Sequence, residues 1–240
     1  MSSKPPPDDT LLAVSALFVI LFAPVTSQYF IFLPWLRPLT PVSALVLGVF
    51  NILVGLLLAN YAACYFTDPG KVSPGWEGVP DTCIGYRNQA HFIRFLLYAT
   101  LAASLCIVLI LARLTHLVHQ AIRHTATAPP NAPHPEMVHV GQVLVMAGNL
   151  CVLVPVGSIL GLLTYQQIYN LTQNLTTIEY VKLKDDAIGV YVPSNPYRLR
   201  HPSDNVRTVM GRDSPWWMWA LYTLPPEGTG TWFEVDLEAE

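Results

Sequence analysis

The chain has 240 residues and a formal net charge of −3, with 52% hydrophobic and only 12% charged residues. Soluble domains carry about 25% charged residues, so this composition is typical of a membrane protein. The basic residues form no patch interleaved with aromatic residues, which excludes nucleic acid as a partner.

Four apolar stretches are predicted to span a membrane: 11–33, 42–66, 92–112 and 140–163. Each is near or above the ~20 residues that a helix needs to cross the hydrocarbon core. Lipid cannot satisfy exposed backbone groups, and the alternating pattern of a barrel strand is absent, so the spans are predicted to be helices. The predicted fold class is therefore an all-α membrane protein with four transmembrane helices.

The distribution of basic residues predicts the orientation. One side carries Lys4, Lys71, Arg87, Arg94, Lys182 and Lys184, and the other carries only Arg37, Arg113 and Arg123. By the positive-inside rule, the N-terminus (1–10), the loop between spans two and three (67–91) and the tail (185–240) are cytosolic. A membrane domain over 11–184 lies between the N-terminus and the tail. The sequons at Asn170 and Asn174 offer a test, because a glycan there would contradict this orientation.

The connections follow in chain order. Pro34 and Pro38 predict a tight turn that joins the first two spans. The loop at 115–139 is rich in Pro, Thr and His and is expected to be irregular. After the fourth span, an apolar stripe (Ile168, Leu171, Leu175, Ile178) predicts that the helix continues out of the membrane. The tail alternates short strand-like runs with Pro and Gly.

Polar residues in these segments have structural interpretations. Asn51, Asn60 and Asn149 are predicted to form interhelical hydrogen bonds rather than to bind a ligand. Cys64, Cys106 and Cys151 are predicted to be packing residues. The three histidines at 116, 119 and 124 lack a Cys or carboxylate partner nearby, so a solvated loop is favoured over a metal site.

Four short motifs occur in a recognisable order. The first is Asp68-Pro69-Gly70 after the second span, and the second is Cys83-x4-Asn88-x3-Phe92 leading into the third. The third motif is Thr176-Thr177-Ile178-Glu179 beyond the fourth span, and the last is Asn195-Pro196-Tyr197 followed by Asn205. In this order and placement the chain resembles the DHHC-type protein S-acyltransferases (palmitoyltransferases), particularly the fungal endoplasmic-reticulum branch with its Trp-rich tail.

The resemblance implies a specific chemistry. In intact members, a cytosolic cysteine-rich module between spans two and three binds two structural zinc ions. The cysteine of its Asp-His-His-Cys tetrad takes an acyl group from acyl-coenzyme A and passes it to a protein cysteine. The acyl chain lies between the spans, Thr176 and Glu179 pack near the active centre, and Asn195 and Asn205 pin the tail through side-chain-to-backbone hydrogen bonds.

This chain departs from the family pattern at the reactive centre. Thr82 is followed directly by Cys83, where the family inserts the zinc module, and no Asp-His-His-Cys occurs in the 240 residues. The 67–91 loop offers only Cys83 and His91 as Cys or His ligands, too few for zinc. We therefore expect no catalytic residue, metal or cofactor in this chain, and Cys83 is interpreted as a lone remnant. The other motif residues are expected to be structural.

The expected function is that of an impaired or inactive palmitoyltransferase that still contacts lipid or an acyl chain. The expected location is the endoplasmic-reticulum membrane, with another endomembrane as the alternative. The alternative is a non-catalytic partner or regulator of an intact palmitoyltransferase. Transport is disfavoured, because several charges that line a pathway are expected within the spans. The four predicted spans contain only one charged residue, Arg94, near the start of the third. Cys83 as a nucleophile or as a passive acylation target remains a further alternative.

Overall fold

The structure is a computed structural model that describes residues 7–67, 88–127, 140–175, 198–211 and 215–221. All regular structure in these ranges is helical, which confirms the predicted class for the described part of the chain. The helices are α1 (Pro7–Ser27), α2 (Pro41–Phe66), α3 (Gln89–Thr127), α4 (Val140–Thr172), α5 (Pro202–Met210) and a 3₁₀ helix at Trp216–Ala220. α1 continues through a π-helical segment, Gln28–Phe32, and a last turn, Leu33–Trp35. The strand-like runs predicted in the tail lie outside the described residues.

In the described part of the chain, four helices are long and apolar enough to cross a membrane: Ala13–Trp35, Pro41–Phe66, Gln89–Ala126 and Val140–Thr172. Each contains most or all of one predicted span. Helix α3 has 39 residues, about 58 Å at 1.5 Å per residue, so it is much longer than the ~30 Å of hydrocarbon. The predicted irregular loop is therefore wrong for residues 115–127. Proline first interrupts this segment at 129, so nothing before that position breaks the helix.

The start of α2 shows how local sequence sets a helix end. Thr40 precedes the helix, and Pro41 occupies its first position, where the missing N–H is not needed. The Ser43 N–H donates to Thr40 Oγ1 at 3.2 Å, and the Thr40 N–H donates to Ser43 Oγ at 2.8 Å. This reciprocal pair is a capping box in which Ser43 takes the place of the usual Glu or Gln.

The chain divides into two compact units, Met1–Gly55 with Ala99–Ile159 and Leu56–Tyr98 with Leu160–Glu240. The first unit has an apolar core contributed by all four long helices. Its members are Ala23, Ile31, Phe32, Leu47, Phe50, Ala103, Cys106, Leu109, Ile110, Met146 and Leu153. The rings of Phe32 and Phe50 meet edge to face at 5.5 Å, an arrangement that aromatic pairs favour.

A polar junction crosses the core of the first unit. Asn149 on α4 donates to Ser27 Oγ at 2.8 Å and to Thr26 Oγ1 at 3.1 Å, both on α1. The Cys106 thiol on α3 donates to Ser27 Oγ at 3.3 Å. The prediction of an interhelical hydrogen bond is confirmed for Asn149.

The other two asparagines behave differently. Asn51 donates to Leu47 O at 2.8 Å and Asn60 donates to Leu56 O at 2.9 Å, both within α2. Among the described residues of its unit, neither side chain forms a hydrogen bond to another helix. The interhelical prediction is therefore wrong for both residues within that part of the chain. An asparagine side chain reaches the carbonyl one turn earlier without any partner helix.

One end of the first unit gathers polar and aromatic side chains. The guanidinium carbon of Arg113 lies 5.9 Å from the centre of the Trp35 ring, a cation–π distance. Gln142 accepts from Arg113 Nη2 at 3.5 Å and donates to Phe30 O at 3.1 Å, in the π-helical segment. Arg113 Nη1 is 3.4 Å from His116 Nδ1. Because a guanidinium only donates, that ring nitrogen accepts.

Candidate functional site at the C-terminal tail

The structure describes three of the residues that the sequence motifs single out: Asn88, Phe92 and Asn205. The remaining ones lie outside the described residues: Asp68, Pro69, Gly70, Cys83, Thr176, Thr177, Glu179, Asn195, Pro196 and Tyr197. All three described residues belong to the second unit. The candidate site is therefore built from the start of α3, the end of α4 and the described tail segments.

The Asn-x3-Phe motif forms the first turn of α3. Asn88 lies in the turn before the helix, and its carbonyl accepts from the Phe92 N–H at 3.0 Å. The four-residue spacing is thus one helical hydrogen bond. The Phe92 ring is partly exposed and stacks on Phe95 at 6.4 Å. The contacts among the described residues therefore assign this motif to the start of helix α3.

Asn205 joins the tail to the end of α4. It lies on α5 and is 0% exposed. Its Nδ2 donates to Thr172 O at 2.9 Å and to Leu199 O at 3.3 Å, and its Oδ1 accepts from the Leu199 N–H at 2.8 Å. These are side-chain-to-backbone bonds, the type that the family resemblance implies for this residue. One amide therefore joins three places in the chain: α4, the segment before α5, and α5 itself.

A second polar contact joins α3 to the tail. Arg94 is 2% exposed, and its Nε donates to Ala90 O at 3.0 Å within α3. Its Nη1 donates to Leu221 O at 3.5 Å. One turn further along α3, the hydroxyl of Tyr98 donates to Ala220 O. Both side chains thus bind backbone carbonyls at the end of the 3₁₀ helix, and the last carbonyls of a helix generally need partners from outside it.

Apolar packing accompanies these hydrogen bonds. Ala90 and Ile93 on α3, Leu171 on α4, and Val209 and Met210 on α5 form one buried cluster. Val206 and Trp219 pack against it, whereas Trp216 and Trp217 are exposed. The tail is therefore held to the helices by an apolar cluster as well as by the bonds of Asn205, Arg94 and Tyr98.

Helix α4 ends earlier than the sequence pattern predicts. Asn174 adopts a φ of 50°, the left-handed conformation that asparagine tolerates best after glycine. The Leu175 N–H donates to Asn170 O at 2.9 Å and the Asn174 N–H to Leu171 O at 3.2 Å, the two bonds of a Schellman motif. The predicted extension is confirmed as far as Thr172. Leu175 lies beyond the helix, and Ile178 lies outside the described residues.

Two polar groups in this region are buried without a partner among the described residues. They are both side-chain amide atoms of Asn170, which is 0% exposed, and Nδ1 of His91. Such groups carry a desolvation cost. The burial of Asn170 also shows that its sequon is inaccessible in the folded chain.

The described residues of this site can hold the C-terminal tail against the ends of the helices. No group of three or more His, Cys, Asp or Glu side chains that could hold a metal occurs in this part of the chain. The described thiols are Cys64, Cys106 and Cys151, all three within the apolar helices. The site binds backbone carbonyls with buried donors, which positions the tail.

Sequence reasoning did not identify Arg94 and Tyr98 as site residues. From sequence, Arg94 serves only as one of the basic residues that predict the orientation of the spans. The available signal was the position of Arg94 inside the predicted span at 92–112, with Tyr98 four residues later on the same helical face. A charge within an apolar run is expected to face a partner.

Residues 79–184 match the family model described as DHHC palmitoyltransferase. The match covers less than half of the chain. It contains Cys83, Asn88, Phe92, helices α3 and α4, and the Thr176–Glu179 motif, and it ends before Asn205. Together with the four membrane-capable helices, it indicates a multi-pass membrane protein.

Proposed function

We propose that the chain is a four-span member of the DHHC palmitoyltransferase family that lacks the catalytic cysteine-rich module and is therefore impaired or inactive in acyl transfer. One observation carries this proposal. The family match begins at residue 79, four positions before Cys83, and the 240 residues contain no Asp-His-His-Cys. We infer from this that the segment that supplies the nucleophile is missing, while the segment that follows it is present.

The chemistry explains why this absence matters. In the family reaction, a cysteine thiolate attacks the thioester carbonyl of palmitoyl-coenzyme A and coenzyme A leaves as its thiol. The thiolate of a substrate cysteine then attacks the resulting acyl-enzyme and takes the acyl group. The first thiolate requires a positioned base and a neighbour that orients that base. Cys83 is left without the tetrad, and the 67–91 loop has only His91 as a further Cys or His ligand for zinc.

The scaffold is proposed to remain functional. The bonds of Asn205 and Arg94 to the tail do not involve the absent tetrad, so the tail is held without it. The spans are proposed to contact lipid and to hold an acyl chain, and no zinc or acyl-coenzyme A is expected to bind. The N-terminus, the 67–91 loop and the tail are proposed to be cytosolic, in the endoplasmic-reticulum membrane. Trp216, Trp217 and Trp219 support the fungal branch of the family.

The first test is labelling of the purified protein with acyl-coenzyme A that carries a detectable acyl group. We expect no hydroxylamine-sensitive label above the level of a Cys83→Ser variant. A Cys151→Ser variant is the matched control, because Cys151 is an exposed thiol within α4. Stoichiometric label that disappears only with Cys83→Ser would refute the proposed inactivity.

A second candidate is a non-catalytic partner of an intact palmitoyltransferase. The exposed apolar side chains on the four membrane-capable helices support it, because such faces can pack against the spans of another protein. Co-purification of the tagged chain with a full-length family member from membranes is the expected result. Separation of the two proteins under mild detergent at equal expression would argue against this candidate.

A further inference from the structure

Asn51 places a polar amide near the middle of a membrane-capable helix. Helix α2 runs from Pro41 to Phe66, so Asn51 lies about 4 Å from its midpoint at 1.5 Å per residue. The side chain is exposed, not packed into the core. Because the flanking residues are apolar, we expect this amide to face the hydrocarbon of the bilayer when α2 of a single copy spans a membrane.

The amide has unused hydrogen-bonding capacity. A primary amide carries two N–H donors and an oxygen with two lone pairs. Asn51 uses Nδ2 to donate to Leu47 O at 2.8 Å, and within the described part of the chain its Oδ1 accepts nothing. Leaving these groups in hydrocarbon is unfavourable. A partner helix that supplies an acceptor and a donor at the same depth would remove this cost.

The surface around Asn51 allows a helix to approach closely. At 100° per residue, Ala44, Gly48 and Gly55 fall within an arc of about 60° that contains Asn51. All four residues are exposed. A Cβ atom added at Gly48 or Gly55 would meet no other atom within 4 Å. Small residues on one face permit the short backbone distance that helix pairs in membranes use.

We propose that this face of α2, Ala44–Gly48–Asn51–Gly55, pairs with the same face of a second copy of the chain. Two copies inserted in the same direction are related by a two-fold axis along the membrane normal. Such symmetry brings Asn51 of each copy to the same depth without any adjustment. An amide is complementary to another amide, since each donates an N–H and accepts at its oxygen. An unrelated helix would need a polar residue at this depth, whereas a second copy supplies it by symmetry.

The first test is disulfide cross-linking of the full chain in native membranes. Ala44→Cys and Leu45→Cys are introduced separately after Cys64, Cys83 and Cys151 have been replaced by alanine. The two positions are adjacent in sequence and both exposed, but they lie about 100° apart around the helix. Oxidation is expected to yield a covalent dimer for Ala44→Cys and little for Leu45→Cys.

The second test is self-association in bilayers, measured by energy transfer between labelled copies. Asn51→Leu is expected to weaken pairing about tenfold, because two interhelical amide bonds of about 0.7 kcal/mol each are lost. Asn51→Gln retains the amide and is expected to retain most of the pairing. The thermal unfolding temperature of the monomer is expected to be unchanged in both variants, since no other element of the unit bonds to Asn51.

Three outcomes would overturn the proposal. One is a chain that stays monomeric in bilayers at all protein-to-lipid ratios tested. Another is a dimer that Asn51→Leu leaves intact and that cross-links through position 45. The last is cross-linking of position 44 only to a different protein, which would assign the face to another occupant.

Discussion

Replacing Asn205 with alanine should release the tail from the end of α4. The amide is 0% exposed, and the change removes its bond to Thr172 O (2.9 Å) and its bond from the Leu199 N–H (2.8 Å). A buried group left unsatisfied costs about 1–3 kcal/mol, so the loss of two strong bonds should weaken tail docking by about 2–4 kcal/mol. At about 1.4 kcal/mol per factor of ten, hydrogen exchange over residues 199–211 should accelerate at least about thirtyfold.

Hydrogen exchange in detergent or nanodiscs measures this effect directly, with exchange in the centre of α3 as the internal reference. Arg207→Ala is the matched control, because Arg207 lies on the same helix and, among the described residues, its side chain forms only an exposed pair with Asp204 at 3.8 Å. Such a pair contributes about 0–1 kcal/mol. If exchange in the tail is the same in the Asn205 and Arg207 variants, the docking role assigned to Asn205 is wrong.

Three further predictions concern other parts of the chain. Asn149→Leu should lower the free energy of unfolding by about 1–2 kcal/mol, because the interhelical bond to Ser27 is lost. Asn51→Leu should lower that of the monomer by less, and a larger loss would contradict the assignment of Asn149, and not Asn51, to a bond between helices. Arg94→Leu should loosen the 3₁₀ helix by removing the bond to Leu221, seen as a red shift of tryptophan fluorescence; an unshifted spectrum would count against this contact. Asn174 should carry no glycan in microsomes, and a glycan removed by endoglycosidase would reverse the proposed orientation.

The architecture was predictable because the bilayer imposes a strong constraint on sequence. Long apolar runs fix the positions of spans, and backbone satisfaction in lipid requires helices. The lengths of the helices were harder to predict from the sequence. The continuation of α3 to Thr127 was not predicted, because its histidines and threonines give this segment the average polarity of a loop. The end of α4 depends on Asn174 in a left-handed conformation, and a single asparagine is a much weaker signal than glycine.

The candidate site was only partly accessible from sequence. Asn205 was identified through the motif resemblance, since nothing in its local pattern indicates three backbone partners. The contacts of Arg94 and Tyr98 depend on where the tail folds back, a separation of more than 120 residues that no periodicity reports. Asn149 and Asn51 look alike from sequence, and only the direction of each side chain separates a bond between helices from an exposed amide.

The most direct test of the central claim is the rate at which the purified full chain transfers palmitate from palmitoyl-coenzyme A to a protein cysteine in membranes. An intact family member prepared in the same way is the benchmark. The proposal predicts transfer at the uncatalysed background rate, unchanged by Cys83→Ser. Sustained transfer near the benchmark rate that Cys83→Ser abolishes would contradict it.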